Sequence, residues 1–209
     1  MKRLISAVLL IMTVVMLGAC SSETDGAKRL SKEGIAPYEL SESEKYLLRS
    51  FGMEGTSQII AFHAPKEAIS LEVNVYRLGD DETWDIVGGG GLSIGTNREP
   101  IDQLIGTFTM QLRENYVVDF SVDAGGRVSY KSDEILLDSK MMISQWQRCF
   151  LSQFQEIALN TEIPVAIMVY DDGTSMRTYC LQDYFEPSKF AGMDLVQAVT
   201  LEFTDKSLG

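Results

Sequence analysis

The sequence predicts a mainly β fold: an antiparallel β-sandwich, or a barrel-like variant, with one or two short helices. Two observations carry this. From residue 57 onward apolar and polar residues alternate in short runs, which sends one face of each run to a core and the other to water. Short stretches rich in Gly, Asn and Asp separate the runs at close spacing, the mark of hairpins rather than of long crossovers.

The chain opens with Lys2 and Arg3, an uncharged apolar run from Leu4 to Leu17, and then Leu17-Gly18-Ala19-Cys20. A positive start, a short apolar run and small residues at the cut read as a secretory signal over residues 1–19. The run has 14 residues, whereas a helix needs about 20 to span a bilayer. Leu-Gly-Ala-Cys in this place resembles the lipobox of bacterial lipoproteins. That resemblance implies a diacylated Cys20 at the mature N-terminus, holding the protein on the extracytoplasmic face of the cell membrane. Two acyl chains anchor stably where one does not. Residues 20–37 are polar and without period, and read as a flexible tether. One domain follows, residues 38–209.

Loss of Lys2 and Arg3 with the signal takes the net charge from −12 to −14. Such acidity argues against binding nucleic acid through its phosphates. Three cysteines are present. With Cys20 assigned to lipid, Cys149 and Cys180 remain, either as a disulfide suited to an oxidising compartment or as two buried thiols.

The elements follow in order. Ser41 and Glu44 form a capping box, Leu47, Leu48 and Phe51 share a face, and Gly52 suits the end of a short helix. Ile69, Leu71, Val73 and Val75 alternate with polar partners. Gly79-Asp80-Asp81 turns the chain, and Trp84 and Ile86 continue the pattern. Leu104, Phe108, Met110 and Leu112 mark another strand, Val118, Phe120 and Val122 the next, and Ala124-Gly125-Gly126 turns into Arg127–Lys131. Residues 140–152 stay open between helix and strand. Ile143, Trp146, Phe150, Phe154 and Ile157 form a helical stripe with Ser139 as cap, while residues 154–159 read as half of a hairpin with 163–171. There Ile163, Val165, Ile167 and Val169 alternate. Asp171-Asp172-Gly173 turns into 175–181, Phe185–Gly192 is a loop, and Leu195–Phe203 is the last strand. The stretch Asn160–Phe190, with the lipobox and tether, is similar to uncharacterised small lipoproteins of Gram-positive bacteria. The likeness implies a β-rich extracellular domain and no catalytic motif.

Candidate chemistry is sparse. Gly91-Leu92-Ser93-Ile94-Gly95 matches the G-x-S-x-G of α/β-hydrolases. A loop, Thr96–Pro100, follows it where a helix belongs, and the single histidine, His63, precedes Ser93. Only the order His63, an Asp such as Asp85, then Ser93 is open to a triad, and those residues lie within about 30 positions of one another. Gly88–Gly91 lacks the Lys-Ser/Thr ending of a phosphate loop and reads as backbone freed for bending or close approach. One histidine and two separated cysteines do not make a zinc set. The turn acids Asp80-Asp81-Glu82, Asp119, Asp123 and Asp171-Asp172 lack the EF-hand pattern and read as solvated. Met141 and Met142 read as gap fillers. No catalytic, metal or cofactor residue is assigned. Tyr76, pointing outward on its strand, and Trp84 across the turn are candidate binding residues, able to stack on sugar or anchor a protein. The expected function is a lipid-anchored, non-enzymatic binding module with a protein or glycan partner. A small hydrolase of wall or glycan substrates and an accessory transporter subunit are the alternatives.

Overall fold

The computed structural model describes residues 30–95, 101–137, 143–174 and 177–208. Cys20 with the signal, Thr96–Pro100, Ser139, Met141 and Met142 lie outside them. Ten strands make two five-stranded antiparallel sheets: β1 (Gly34–Pro37), β2 (Ser57–His63), β3 (Ser70–Leu78), β4 (Trp84–Ser93), β5 (Ile105–Leu112), β6 (Val118–Asp123), β7 (Arg127–Lys131), β8 (Gln145–Phe150), β9 (Glu162–Asp171) and β10 (Leu195–Thr204). Sheet A runs β1-β2-β5-β6-β7 and sheet B runs β4-β3-β10-β9-β8. This is the expected sandwich. The helix α1 (Glu42–Ser50) has its capping box, with the Glu44 N–H donating to Ser41 Oγ and the Ser41 N–H to Glu44.

The inward residues of both sheets meet in one core. Phe62 on β2 and Phe203 on β10 touch edge to face at 5.6 Å between ring centres, with Ile60, Leu71, Phe108 and Leu201 fully buried beside them. Both seams are closed, which gives the sandwich its barrel-like character. On one side the Asp133 N–H donates to Val87 O at 2.8 Å. On the other, Ile35 and Gln155 exchange a pair of backbone hydrogen bonds. The glycine run belongs to the first seam. A Cβ on Gly88 would meet the Ser132 backbone at 2.5 Å, and one on Gly90 the Tyr130 ring at 2.6 Å. The glycines serve close approach of β7 to β4, one of the two uses the sequence allowed.

Sheet B is covered on its outer face as well. Two 3-10 turns, Leu181–Phe185 and Pro187–Phe190, lay Tyr184 and Phe190 over Tyr76, Ile167, Val169, Val196 and Ala198. The predicted loop Phe185–Gly192 is therefore a folded cover, and residues 177–180 form no strand. A bulge at Val165, where Val199 faces Ala166 and Thr200 faces Pro164, shifts the phase of β9. Ile163 and Val165 face the core, but beyond the bulge Ala166, Met168 and Tyr170 do, and Ile167 and Val169 turn to the cover. The sequence alternation put all four of the odd positions on one face, because a bulge leaves no mark on composition.

Three further expectations change. Gly34–Pro37, assigned to the tether, is an edge strand with Ile35 fully buried. One inward residue in a polar stretch is too weak a pattern to read. Residues 145–150 are strand, not helix, because pairing with β9 dominates. The helical stripe is not one face: Ile143, Phe150 and Ile157 pack against the core, whereas Trp146 is 58% exposed and Phe154 is also exposed. The hairpin partner of β9 is thus β8, and 154–159 touches β1 instead. Among the described residues no helix is long and apolar enough to cross a membrane.

Candidate functional site

Strand β6 joins the two ends of sheet A. At one end, where β2 and β5 finish at His63 and begin at Ile105, the turn Ala124–Gly126 caps the sandwich. At the other, the turn Arg113–Val117 links β5 to β6 beside the corner Gly52–Thr56 and the start of β8. The site is built at this second end.

The Arg113 N–H donates to Val117 O at 2.8 Å, closing the turn. Between them Asn115 (φ 54°) and Tyr116 (φ 59°) are both left-handed, a conformation costing a non-glycine residue about 1–2 kcal/mol. Packing from the core holds it there. Gln197 on β10, fully buried between the sheets, donates from Nε2 to Tyr116 O at 2.8 Å, and the Ile135 N–H donates to Asn115 O at 3.1 Å. Gln197 Oε1 is buried without a partner, so this interior carries a polar atom that core stability alone does not require. The Tyr116 ring meets Tyr170 of sheet B edge to face at 4.8 Å.

Arg148 closes the cleft from β8. Its guanidinium lies 4.0 Å over the Trp146 ring, Nη1 donates to Gly55 O at 2.9 Å, and Nε is buried without a partner. Burial pushes the Tyr170 hydroxyl up, and the neighbouring Arg148 charge partly offsets this. Arg113 reaches Asp119 at 2.7 Å through Nε. Between these groups lies a cleft of about 680 Å3. Its described lining holds two arginines, two tyrosine rings and a single carboxylate, Glu114, without serine, cysteine or histidine. Guanidinium groups beside aromatic rings can fix an anion and offer apolar surface at once. Leu47 of α1, Phe51 at its C-cap and Trp146 under the Arg148 guanidinium are exposed, Phe51 to 75%. The shared helix face that the sequence showed is thus turned largely to solvent.

A second concavity, about 630 Å3, runs along the outer face of sheet A. Thr109 and Ser121 share a hydrogen bond there at 2.7 Å, and Asp119 holds Arg113. Gln58 Oε1 is buried without a partner along this face too, but none of its lining residues has left-handed backbone. The end cleft, where the strained turn and the unpartnered Arg148 Nε coincide, is the stronger candidate.

The other sequence candidates fall elsewhere. Tyr76 does point outward and lies against Trp84, 6.3 Å between ring centres, as expected. Neither is free to bind, which corrects their assignment. Tyr76 is 8% exposed, Trp84 stacks on Tyr184 at 5.1 Å, and the Trp84 indole N–H donates to Tyr184 O at 3.0 Å. Tyr76 and Tyr184 both donate to Glu162; burial, and then that carboxylate, push both phenols well up. Cys149 and Cys180 are free thiols, the first half-buried and the second exposed. Ser93 accepts from the Leu208 N–H at 3.0 Å, whereas His63 sits on the other sheet with Nδ1 at Leu30 O; Asp85 is at the far end of β4. The structure does not bring those three together. Asp171 and Asp172 do come within 4.8 Å of Asp194, but Asp194 is engaged in accepting the Asp172 N–H. Asp81 caps its own turn through Thr83, which holds its carboxyl below the usual range. Sequence reasoning missed Asn115, Tyr116, Arg148 and Tyr170. The one available signal was a turn, Arg113-Glu114-Asn115-Tyr116, with no glycine to take its left-handed positions.

Comparison with known proteins finds no matching family model, no matching curated protein and no matching solved structure.

Proposed function

We propose that this chain is a lipid-anchored, extracytoplasmic binding module that captures a carboxylate-bearing glycan in the end cleft. The single observation that carries the reading is the strained Asn115-Tyr116 turn, held over a cleft lined by Arg113 and Arg148. Strain of this kind persists where the surroundings enforce it, and it collects at ligand sites. The arginines supply paired donors for carboxylate oxygens, and the rings of Tyr116 and Tyr170 offer apolar surface to a sugar ring. A net charge of −14 on the mature chain would repel such a ligand elsewhere on the surface, so recognition would be local and sensitive to salt.

The orientation of the fold supports this use. Leu30 contacts His63, at the end of sheet A opposite the cleft. β2 has seven residues, which separates the two ends by roughly 20 Å. A lipid on Cys20 would then hold the far end to the membrane and leave the cleft facing outward.

Oligogalacturonate and its methyl ester, alike in ring and linkage but not in charge, test the reading by isothermal titration. The acid is expected to bind at least tenfold tighter than the ester, and the difference to shrink in high salt. Equal binding, or none, would remove the proposal. Membrane fractionation of Cys20→Ala tests the anchor separately: the variant should be released or left unprocessed.

A further inference from the structure

We propose that Cys149 and Cys180 form a dithiol site at which oxidation clips the outer cover of sheet B to its edge strand β8. The geometry comes from the backbone. Gln147 donates from Nε2 to Tyr179 O at 2.8 Å and accepts the Tyr179 N–H on Oε1 at 3.0 Å. This reciprocal pair ties the segment before the cover to β8. Side chains two apart on a strand share a face, so Cys149 projects to the same side as Gln147, toward the residues that follow Tyr179. There the Leu181 backbone and Cys180 are the electrostatic neighbours of the Cys149 thiol. Cys180 is fixed at the start of the 3-10 turn: its carbonyl accepts the Asp183 N–H at 3.0 Å, and its own N–H donates to Asp183 Oδ2 at 2.8 Å.

The two thiols differ in access, which orders the chemistry. Cys180 is exposed and Cys149 half-buried. With glutathione disulfide as oxidant, the Cys180 thiolate attacks one glutathione sulfur, forms a mixed disulfide and releases one glutathione thiolate. The Cys149 thiolate then attacks the Cys180 sulfur, closes the intramolecular bond and releases the second glutathione. Two protein thiols are oxidised, one glutathione disulfide is reduced to two thiols, and the two protons pass to glutathione. Burial, and then the charges of Cys180 and Asp183, push the Cys149 thiol up, which keeps its thiolate scarce and disfavours it as the first nucleophile.

The clip would bind the cover that buries Tyr76, Tyr184 and Phe190 to the strand that carries Arg148. It is independent of what the cleft binds. The test uses the chain carrying Cys20→Ala, in which Cys149 and Cys180 are the only thiols. It is treated with glutathione disulfide, alkylated, and mapped by mass spectrometry without reduction. A Cys149–Cys180 linked peptide is expected, with a rise in melting temperature of about 5–15 °C that dithiothreitol reverses. In Cys149→Ser a stable glutathione adduct on Cys180 is expected, because the second step is blocked. Separate adducts on both cysteines of the Cys20→Ala chain, an adduct on Cys180 alone, or two fully alkylated thiols would each overturn the proposal.

Discussion

The two turns that bracket β6 are built on different principles. At one end Ala124–Gly126 gives its left-handed position to Gly125, φ 72°, where the conformation is free of Cβ cost. Neighbouring backbone is packed to contact, so that a Cβ on Gly106 would meet Asp123 O at 1.9 Å. At the other end Asn115 and Tyr116 take left-handed positions without glycine, next to a buried arginine nitrogen and a buried glutamine oxygen without partners. One end is optimised for stability. The other gives up stability to hold side chains in place, which is the behaviour of a site.

The largest expected effect lies at the stable end. Gly106→Ala should cost about 3 kcal/mol, since rigid backbone opposes the new methyl. Denaturant unfolding measures it, and a cost under about 1 kcal/mol would dissolve the contrast. Next, Arg148→Ala should lower affinity for oligogalacturonate at least tenfold, while loss of its bond to Gly55 costs about 1 kcal/mol of stability. Equal affinity in that variant would move the site elsewhere. Asn115→Gly relaxes the strained turn. Its stability should stay within about 0.5 kcal/mol of the parent, relief of strain offsetting lost chain stiffness. Ligand affinity should nevertheless fall about threefold through loss of preorganisation; unchanged affinity would show that the strain is idle.

The smallest effect is electrostatic and lies away from the cleft. Glu72, Glu202 and Glu162 stand directly opposite one another across β3, β10 and β9. Burial first, then the Glu72 and Glu162 charges, raise the Glu202 carboxyl above its ordinary value. The folded protein therefore holds that proton more tightly than the unfolded chain. Charging Glu202 costs stability above its folded pKa, and acidification through that value toward the ordinary glutamate range relieves the cost. Glu202→Gln should melt slightly higher at neutral pH and converge with the parent in acid. A lower melting temperature at pH 7 would refute the assignment.

Most of the fold could be read because sheet A behaves as a half-wet sheet should. Phe108 and Met110 point in, Thr107 and Thr109 out, and the capping box of α1 was written in Ser41 and Glu44. Sheet B was harder. β9 is buried on both faces, so its residues are apolar at even and odd positions alike, and only the bulge at Val165 decides which face each takes. β8 stayed open between helix and strand because Trp146 and Phe154 fall at helical spacing, although both face solvent. The cleft was hidden for a physical reason: its members come from β5–β6, β8, β9 and β10, and no local pattern links Arg148 to a turn over thirty residues earlier. Tyr76 and Trp84 were correctly placed on the outer face. Their cover, Leu181–Phe190, carries no period that would reveal it.

The most direct test of the central claim is a map of backbone amide shifts as oligogalacturonate is added to the isotope-labelled chain. Shifts concentrated at residues 113–117 and 146–148, and absent in Arg148→Ala, are the predicted result. Shifts confined to the outer face of sheet A, the 3-10 cover or the Ala124–Gly126 end would contradict it.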